Sequence, residues 1–419
     1  MPSARDTGSG FEPYRWASQS DEVARRHGLP QAHVLRFDAN LPAFPTPLPR
    51  GARAALAERA EYPEGTYREL REAAAAYAGC GPDEVAVDAG ADGLLGLVAR
   101  TFLAPGRRAV VEELTYPLYA IASRIESAEV VAVPRQLETL ADAAHGANVL
   151  WICNPGNPSG ELFAAEDIAR VADELAETVV CVDEAYFEYA GETTAFLARE
   201  RQNLVCVRTL SKAFGLAGLR VGYAVASQAV ARVLTDRRAP GPIANVCAAL
   251  GAATLRSPGV AQVEAAAARD ERERLRAAFL HAGHDAPPTH ANFVVVRTPE
   301  APALAEELER RGLVVRAYPD TLRIGVRSPA DDDLVLHALG VEAPPASRRS
   351  ATVFRDAARV SLVLDGAGRA SSRTGDDDYD HRIEERAVAA GWDLEVVADP
   401  GAPRAQVEEA LGEAELAAA

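Results

Sequence analysis

Thr209-Leu-Ser-Lys212-Ala-Phe-Gly-Leu-Ala-Gly-Leu-Arg220-Val-Gly-Tyr223 contains the only lysine of this chain of 419 residues. Lysine and arginine together number 44, so arginine stands at every basic position except Lys212. A lysine can become a neutral, nucleophilic amine when burial or nearby cations lower its pKa, whereas an arginine stays protonated. The stretch therefore indicates a nucleophilic amine at Lys212, and the alternative is the chance survival of a surface lysine.

Short apolar runs alternate with helical patterns on both sides of this stretch, from about residue 68 to 260. Such runs are typical of buried parallel strands in an α/β sheet. The predicted strands are Glu84–Val87, Ala109–Val111, Glu129–Val133, Val149–Cys153, Val179–Val182, Leu204–Val207 and Val221–Val225. We therefore predict a large domain, residues 46–245, with a mostly parallel sheet, preceded by an N-terminal arm, residues 1–45.

The rest of the chain has a different character. A long helix near 260–282, strands near 293–296, 313–316 and 321–326, and a helix near 302–311 predict a smaller α+β domain, residues 246–341. Residues 342–349 are rich in Pro, Ala and Ser and predict a linker. Residues 350–399 predict a strand, a turn, an acidic loop at 376–378, a helix and a strand, and the Ala/Glu-rich end predicts a further helix. We therefore predict an appended α+β segment over 350–419.

Composition limits the classes of function. A net charge of -17 argues against nucleic-acid binding, which needs a basic surface. The sequence has no basic-then-apolar signal pattern and no run of 18 apolar residues, which predicts a cytoplasmic protein without a membrane span. The five cysteines have no CxxC spacing, which predicts buried free thiols and no metal site.

Several polar residues follow predicted strands. In an open α/β sheet, ligands bind at the carboxyl ends of the strands. Asp183 ends the run 179–182, and Asn157 lies in a turn-rich segment after the run 149–153. Two hydroxyls, Thr209 and Ser211, directly precede the lysine. A carboxylate for a pyridine nitrogen, hydroxyls and an arginine for a phosphate, and an amine for an aldehyde are the groups that pyridoxal 5'-phosphate (PLP) needs.

These motifs, taken in order over about residues 35–341, resemble the histidinol-phosphate aminotransferase family of PLP enzymes. The resemblance implies the aspartate aminotransferase-like fold type I, with Lys212 as the Schiff-base residue. It implies that Thr209, Ser211 and Arg220 bind the cofactor phosphate, together with the N–H groups of Ala91 and Asp92 at the start of a helix. By the same resemblance, the further cofactor residues are Asp183 at the pyridine nitrogen, Tyr186 and Asn157 at O3′, and Tyr116 stacked on the ring.

The resemblance also implies roles for residues that do not belong to the cofactor-binding set just named. Tyr62, in Glu61-Tyr62-Pro63, matches a tyrosine that reaches the cofactor phosphate of a neighbouring subunit, so the expected assembly is a homodimer with shared active sites. Asn40, Arg316 and Arg323 match the substrate-binding segments, and Arg323 would take an anionic group by bidentate pairing. The connection Tyr318-Pro319-Asp320 between the two arginines is unusually short.

Residues 350–413 resemble part of another family, the imidazoleglycerol-phosphate dehydratases. The resemblance lies in residues 350–355, 359–368, Thr374-Gly375 and Asp380-His381. The paired metal-binding histidines of that family are missing near 399–407, and His381 alone cannot build a metal site. We therefore predict a remnant domain without dehydratase activity; a coincidental α/β tail is the alternative.

The leading functional hypothesis is transamination. Lys212 would serve as Schiff-base and proton-transfer residue, and Asp183, together with Tyr186, would complete the catalytic set. The simplest substrates are histidinol phosphate, or a related amino acid, and 2-oxoglutarate. Two alternatives stay open, namely another PLP reaction such as decarboxylation or oxidation in a specialised pathway, and a non-catalytic PLP-binding protein.

Overall fold

The computed structural model describes residues 11–14, 16–43, 52–57, 60–345, 349–356, 359–364, 368–373, 387–388 and 392–396. The chain divides into two compact units. As far as its residues are described, the first unit takes in 1–17, 58–211 and 217–252. The second takes in 18–57, 212–216 and 253–419.

The strands, in chain order, are β1 (Leu35–Arg36), β2 (Val85–Asp88), β3 (Arg108–Glu112), β4 (Glu129–Val133), β5 (Val149–Cys153), β6 (Val179–Asp183), β7 (Leu204–Thr209), β8 (Gly222–Val225), β9 (Phe293–Arg297), β10 (Leu313–Val314), β11 (Arg316–Tyr318), β12 (Thr321–Gly325), β13 (Arg349–Asp356), β14 (Arg359–Leu364), β15 (Gly368–Arg373) and β16 (Trp392–Val396). The α-helices are α1 (Ser20–His27), α2 (Ala52–Ala57), α3 (Arg68–Ala78), α4 (Gly90–Phe102), α5 (Leu118–Ile125), α6 (Leu137–Ala144), α7 (Ala165–Glu174), α8 (Phe187–Ala190), α9 (Ala195–Ala198), α10 (Gln228–Arg237), α11 (Asn245–Arg256), α12 (Gly259–His281), α13 (Ala301–Arg310) and α14 (Pro329–Ala338).

The first unit is built on a sheet of seven strands in the order β2-β8-β7-β6-β5-β3-β4. The five strands from β7 to β4 run parallel, whereas β8 is antiparallel to both of its neighbours. Each strand predicted from an apolar run is present. The predicted α/β fold class, with a large and mostly parallel sheet, is confirmed.

Burial explains why these apolar runs form strands. Every residue of β5, β6 and β7 is buried, as expected for central parallel strands that are covered on both faces. The edge strand β4 contains only exposed and half-buried residues. Helix α4 packs on this sheet through Leu94, Leu95 and Val98, which belong to one hydrophobic core with strand residues such as Trp151.

The second unit contains smaller sheets. Strands β11, β12 and β9 form an antiparallel sheet, and β1 pairs with β10 in parallel. The sequence predicted one strand over 313–316, but two are found. Val314 pairs with Arg36 of β1, whereas Arg316 pairs with Arg323 of β12, so the chain changes sheets at Val315. The predicted long helix is α12, and the predicted helix near Pro302 is α13, with its proline in the first turn.

The C-terminal strands form a separate sheet in the order β15-β14-β13-β16. Strands β13, β14 and β15 form an antiparallel meander, and β16 joins β13 in parallel. The sequence predicted one strand before the acidic loop, and the meander places three strands there. The residues Thr374, Gly375, Asp380 and His381 of the second resemblance lie outside the described residues, as do the acidic loop 376–378 and the predicted final helix.

Two predictions from composition can be compared with the structure. All five cysteines are free thiols; Cys153, Cys181 and Cys206 are buried, and Cys80 and Cys247 are half-buried. Among the described residues, no helix combines the length and apolarity that crossing a bilayer would require.

Candidate active site

The candidate active site of the first unit begins at the edge of the sheet where β2 and β7 end and β8 starts between them. Strand pairing aligns Gly222 with Asp88 on one side and with Thr209 on the other. Helix α4 starts at Gly90, directly after β2. A Cβ atom on Gly222 would lie 2.5 Å from the carbonyl carbon of Gly90 and 2.8 Å from the amide nitrogen of Ala91. Only glycine therefore allows the sheet to approach the N-terminus of α4 this closely.

Arg220 reaches over the same helix N-terminus. Its Nη2 donates a hydrogen bond to Oδ2 of Asp92 at 2.8 Å. A Cβ atom on Gly90, which has a φ of +74°, would lie 2.8 Å from the same Nη2. Tyr116 donates a hydrogen bond from Oη to Oδ1 of Asp92 at 3.1 Å. The carboxylate of Asp92 thus holds both the guanidinium and the aromatic ring that the sequence singled out.

Two hydroxyls complete this part of the site. Thr209 Oγ1 donates a hydrogen bond to Ser211 Oγ at 2.9 Å, and Ser211 N donates to Thr209 Oγ1 at 3.2 Å. Both residues are buried. A helix N-terminus, a guanidinium and two hydroxyls are donors that suit a dianionic phosphate, so these residues fit the phosphate of PLP.

Asp183 ends β6 and is only 4 % exposed. Its Oδ2 accepts a hydrogen bond from Tyr119 Oη at 2.8 Å, and its Oδ1 accepts one from the Ala185 amide at 3.0 Å. Burial, and then the charge of Asp183, raises the pKa of Tyr119 well above its usual value, so the phenol stays protonated. A buried carboxylate at the end of a strand fits a pyridine nitrogen that must keep its proton.

Asn157 lies in the loop 154–161 after β5, and this loop is anchored at several points. Arg135 donates to the Cys153 and Glu161 carbonyl oxygens at 2.8 and 2.9 Å, and its Nη1 lies 2.5 Å from Oε1 of Glu112. Burial raises the pKa of Glu112, and the charge of Arg135 opposes that shift. The half-buried Asn157 is therefore carried by a loop fixed to β3 and β5.

Two further predicted residues of the first unit differ sharply in exposure. Tyr186 is 3 % exposed and precedes α8. Tyr62 is 96 % exposed, although its neighbour Glu61 is tied down by a hydrogen bond of 2.7 Å from Asn245 Nδ2 to the Glu61 carbonyl oxygen. The side chain of Tyr62 therefore projects from an anchored segment.

In the second unit, three consecutive carbonyl oxygens each accept a side-chain donor. Arg323 Nη2 donates to Asp38 O at 2.6 Å, and Lys212 Nζ donates to Ala39 O at 3.1 Å. Asn292 Nδ2 donates to Asn40 O at 3.1 Å. The backbone of 38–40 thus brings together the predicted lysine, one predicted arginine and the predicted Asn40.

The short connection between the two predicted arginines is a tight hairpin. Strand pairing sets Tyr318 opposite Thr321 and Arg316 opposite Arg323. Arg323 is 6 % exposed, whereas Arg316 is half-buried. The two-residue turn at 319–320 therefore holds the two arginines directly across from each other on neighbouring strands.

Three residues that contribute to the site were not predicted from the sequence. Tyr119 lies three residues after the predicted Tyr116 and resembles an ordinary core aromatic. Asn292 precedes β9 and reaches Asn40 from 252 residues away along the chain. Arg135 is one arginine among many, and its role depends on contacts with β3 and β5. The three-residue spacing of Tyr116 and Tyr119 is the one signal in the sequence that could have drawn attention to Tyr119.

Comparison with known proteins identifies the family of the chain. A family model described as aminotransferase class I and II matches residues 32–339. Histidinol-phosphate aminotransferase of Symbiobacterium thermophilum is 34 % identical over 357 residues, which cover 81 % of this chain and 98 % of that protein. Histidinol-phosphate aminotransferase 2 of Pseudomonas aeruginosa is 35 % identical over 363 residues, covering 79 % and 95 %.

A solved structure shares the fold. The crystal structure of histidinol-phosphate aminotransferase from Sinorhizobium meliloti in complex with pyridoxal-5'-phosphate superposes with a TM-score of 0.71 at 26 % identity, covering 79 % of this chain and 97 % of that one. The fold and these similarities define a fold-type-I PLP-dependent enzyme. The chain belongs to the class I and II aminotransferases, and its substrates are an amino donor and a 2-oxo acid.

Proposed function

We propose that this aminotransferase acts on histidinol phosphate, or on a related amino acid, with 2-oxoglutarate as the acceptor. The observation that carries the proposal is the similarity to histidinol-phosphate aminotransferases, at 34–35 % identity over about four fifths of the chain. Arg316 and Arg323 support it, because two guanidinium groups on neighbouring strands suit the doubly charged phosphate of histidinol phosphate and the carboxylates of 2-oxoglutarate.

The first unit would hold the cofactor phosphate. Arg220 would pair with the phosphate oxygens, and the hydroxyl groups of Thr209 and Ser211 would donate hydrogen bonds to them. The amides of Ala91 and Asp92, in the first turn of α4, would add N–H donors and the positive end of the helix dipole.

The ring of the cofactor would be held by other residues of the same unit. Asp183 would keep the proton on the pyridine nitrogen, and Tyr116 would pack against the ring face. Asn157 and Tyr186 would donate hydrogen bonds to O3′. With that proton in place, PLP supplies an electron sink that stabilises negative charge at the substrate Cα.

Lys212 would hold the cofactor covalently through Nζ and later move a proton at the substrate Cα. Its contact with the Ala39 carbonyl keeps Nζ in place through a neutral acceptor. Arg323 would bind an anionic group of the substrate. Its attachment to the Asp38 carbonyl uses Nη2 and orients the guanidinium.

A homodimer with shared sites is the proposed assembly. The support is Tyr62, which projects almost fully exposed from an anchored segment. We further propose a cytoplasmic location, an arm over 1–45, a large domain over 46–245, a small domain over 246–341, a linker over 342–349 and a remnant domain over 350–419.

The experiment that tests this function is reduction with borohydride followed by peptide mass spectrometry. The wild-type protein should carry the cofactor mass on the peptide that contains Lys212. The Lys212→Arg variant keeps the positive charge but lacks a nucleophilic amine, so no adduct should form. An adduct in this variant, or one at another residue of the wild type, would show that the assignment of Lys212 is wrong.

The substrate is tested by half-reactions with single amino donors. Histidinol phosphate should convert the cofactor to its amino form, and 2-oxoglutarate should reverse the change. Release of CO₂ or consumption of O₂ with an amino-acid donor would instead favour decarboxylation or oxidation. A protein that binds PLP but reacts with no donor would favour a non-catalytic role.

A further inference from the structure

Tyr119 is a buried residue that contacts the carboxylate of Asp183. The phenol oxygen lies 2.8 Å from Oδ2, and the Tyr119 side chain is 1 % exposed. The second carboxylate oxygen, Oδ1, accepts the Ala185 amide at 3.0 Å. Each carboxylate oxygen therefore accepts a hydrogen bond, and the two donors together orient the carboxylate.

The phenol is itself held rigidly. Its ring stacks on Trp151 with a centroid distance of 5.7 Å and an interplanar angle of 14°. Trp151 Nε1 donates to Ser123 Oγ at 3.1 Å, and Ser123 Oγ donates to the Tyr119 carbonyl oxygen at 2.8 Å. The ring stack and the two hydrogen bonds join strand β5 to helix α5. A donor fixed on both its ring and its backbone keeps a constant position beside Asp183.

We infer that Tyr119 is a positioning residue that holds Asp183 as an oriented carboxylate and thereby keeps the pyridine nitrogen of the cofactor protonated. The inference rests on the proposed role of Asp183 at that nitrogen. Tyr119 does not contact reacting atoms in this scheme. It acts through the carboxylate, by stabilising the charged pair of pyridinium and Asp183 relative to the neutral pair.

The physical reason is the cost of a buried charge. An ionised carboxylate that is 4 % exposed is destabilised unless donors compensate for the lost water. Without the phenol, the proton between the pyridine nitrogen and the carboxylate moves towards the carboxylate, because that move removes two buried charges. Hydrogen bonds to charged groups typically change equilibria by about 10- to 100-fold, and the loss of turnover should fall in this range.

The test is nitrogen NMR of protein reconstituted with PLP that carries ¹⁵N in its ring. Wild type should show the resonance of a protonated pyridine nitrogen. Asp183→Asn should show the unprotonated resonance, and Tyr119→Phe should lie between the two. Tyr67→Phe is the matched control, because Tyr67 is also a buried tyrosine of the first unit, but its Oη donates to the Ile243 carbonyl oxygen at 2.7 Å. It should keep the wild-type resonance.

A second measurement retains the shape of the tyrosine. With 3-fluorotyrosine at position 119, the ¹⁹F resonance should move when PLP is added to the apoprotein and should stay unmoved in the Asp183→Asn background. The same label at Tyr67 should not respond in either background. This readout needs no turnover and does not require the phenylalanine variant to fold.

The outcomes separate the inference from the proposed function. If the wild type forms no adduct at Lys212, the proposed function fails. If the adduct forms but Asp183→Asn keeps the protonated resonance, both the role of Asp183 and the inference are overturned. Suppose instead that Asp183→Asn shows the unprotonated resonance. If Tyr119→Phe then keeps the wild-type resonance, or if the ¹⁹F resonance of the label at position 119 does not move when PLP is added, only the positioning role of Tyr119 is wrong.

Discussion

Replacing Arg135 with methionine removes the guanidinium that joins Glu112 to the loop bearing Asn157. The methionine preserves most of the side-chain volume but donates no hydrogen bond. The carboxylate of Glu112 is 1 % exposed, and its Oε1 would lose the nearest positive charge. The Cys153 and Glu161 carbonyl oxygens would lose donors at 2.8 and 2.9 Å.

Breaking a buried ion pair from one side typically costs about 3–5 kcal/mol, because the remaining charge is uncompensated. The loss in the free energy of unfolding should increase with pH. Burial already raises the pKa of Glu112, and loss of Arg135 raises it further. A group whose folded-state pKa is raised loses its stabilising contribution as the pH rises. The loss in the free energy of unfolding caused by Arg135→Met should therefore be smallest near pH 5. It should grow as the pH rises above the folded-state pKa of Glu112 in the wild type and towards its higher pKa in the variant.

The assay is urea unfolding of the apoprotein at pH 5 and pH 8, followed by tryptophan fluorescence. Glu112→Gln combined with Arg135→Met should recover much of the deficit at pH 8, because a neutral amide replaces the unpaired charge. Arg170→Met is the control, since Arg170 is 77 % exposed in its pair with Asp167 and should cost under about 1 kcal/mol. Equal deficits at both pH values, or a deficit as small as that of the control, would refute this account of Arg135.

Inactive Lys212→Ala and Tyr62→Ala subunits should recover activity when mixed, because one of the two sites in a hybrid dimer would be intact; proven hybrids without activity would contradict shared sites. A chain ending at Pro345 should still bind PLP and react with the same amino donor, since the tail 350–419 has no role in the proposed chemistry; loss of the donor half-reaction in a folded, PLP-bound truncation would show that the tail contributes. Glu188→Gln should gain stability over the wild type by about 3–4 kcal/mol as the pH rises from 5 to 8, because burial raises the pKa of Glu188 to about 8 and its charged form is disfavoured in the folded state. Urea unfolding at both pH values measures this gain, and a gain independent of pH would contradict it.

Local patterns were sufficient to predict most of the sheet and the chemistry-bearing segments. Apolar runs identify buried strands regardless of the distant sequence, and a polar residue at the end of such a run identifies the edge where ligands bind. Asp183 and Thr209 could be found in this way. Lys212 was found because no other lysine occurs in the chain.

The missed residues depend on contacts that no local pattern records. Tyr119 resembles a core aromatic until the carboxylate of Asp183 is seen 2.8 Å from its phenol. Asn292 lies where a strand begins, and its partner Asn40 is in a segment near the start of the chain. The break between β10 and β11 also follows from pairing with two different partner strands, which a single apolar run cannot reveal.

The three carbonyls of residues 38–40 have a consequence for synthesis on the ribosome. Arg323, which donates to Asp38, lies 285 residues further along the chain. At about 5–20 residues per second, the donor is made roughly 14–57 s after its acceptor. During that interval the Asp38 carbonyl must be satisfied by water or a chaperone. The N-terminal segment should therefore be protease-sensitive on stalled nascent chains that stop before residue 323, and protected on released full-length chains.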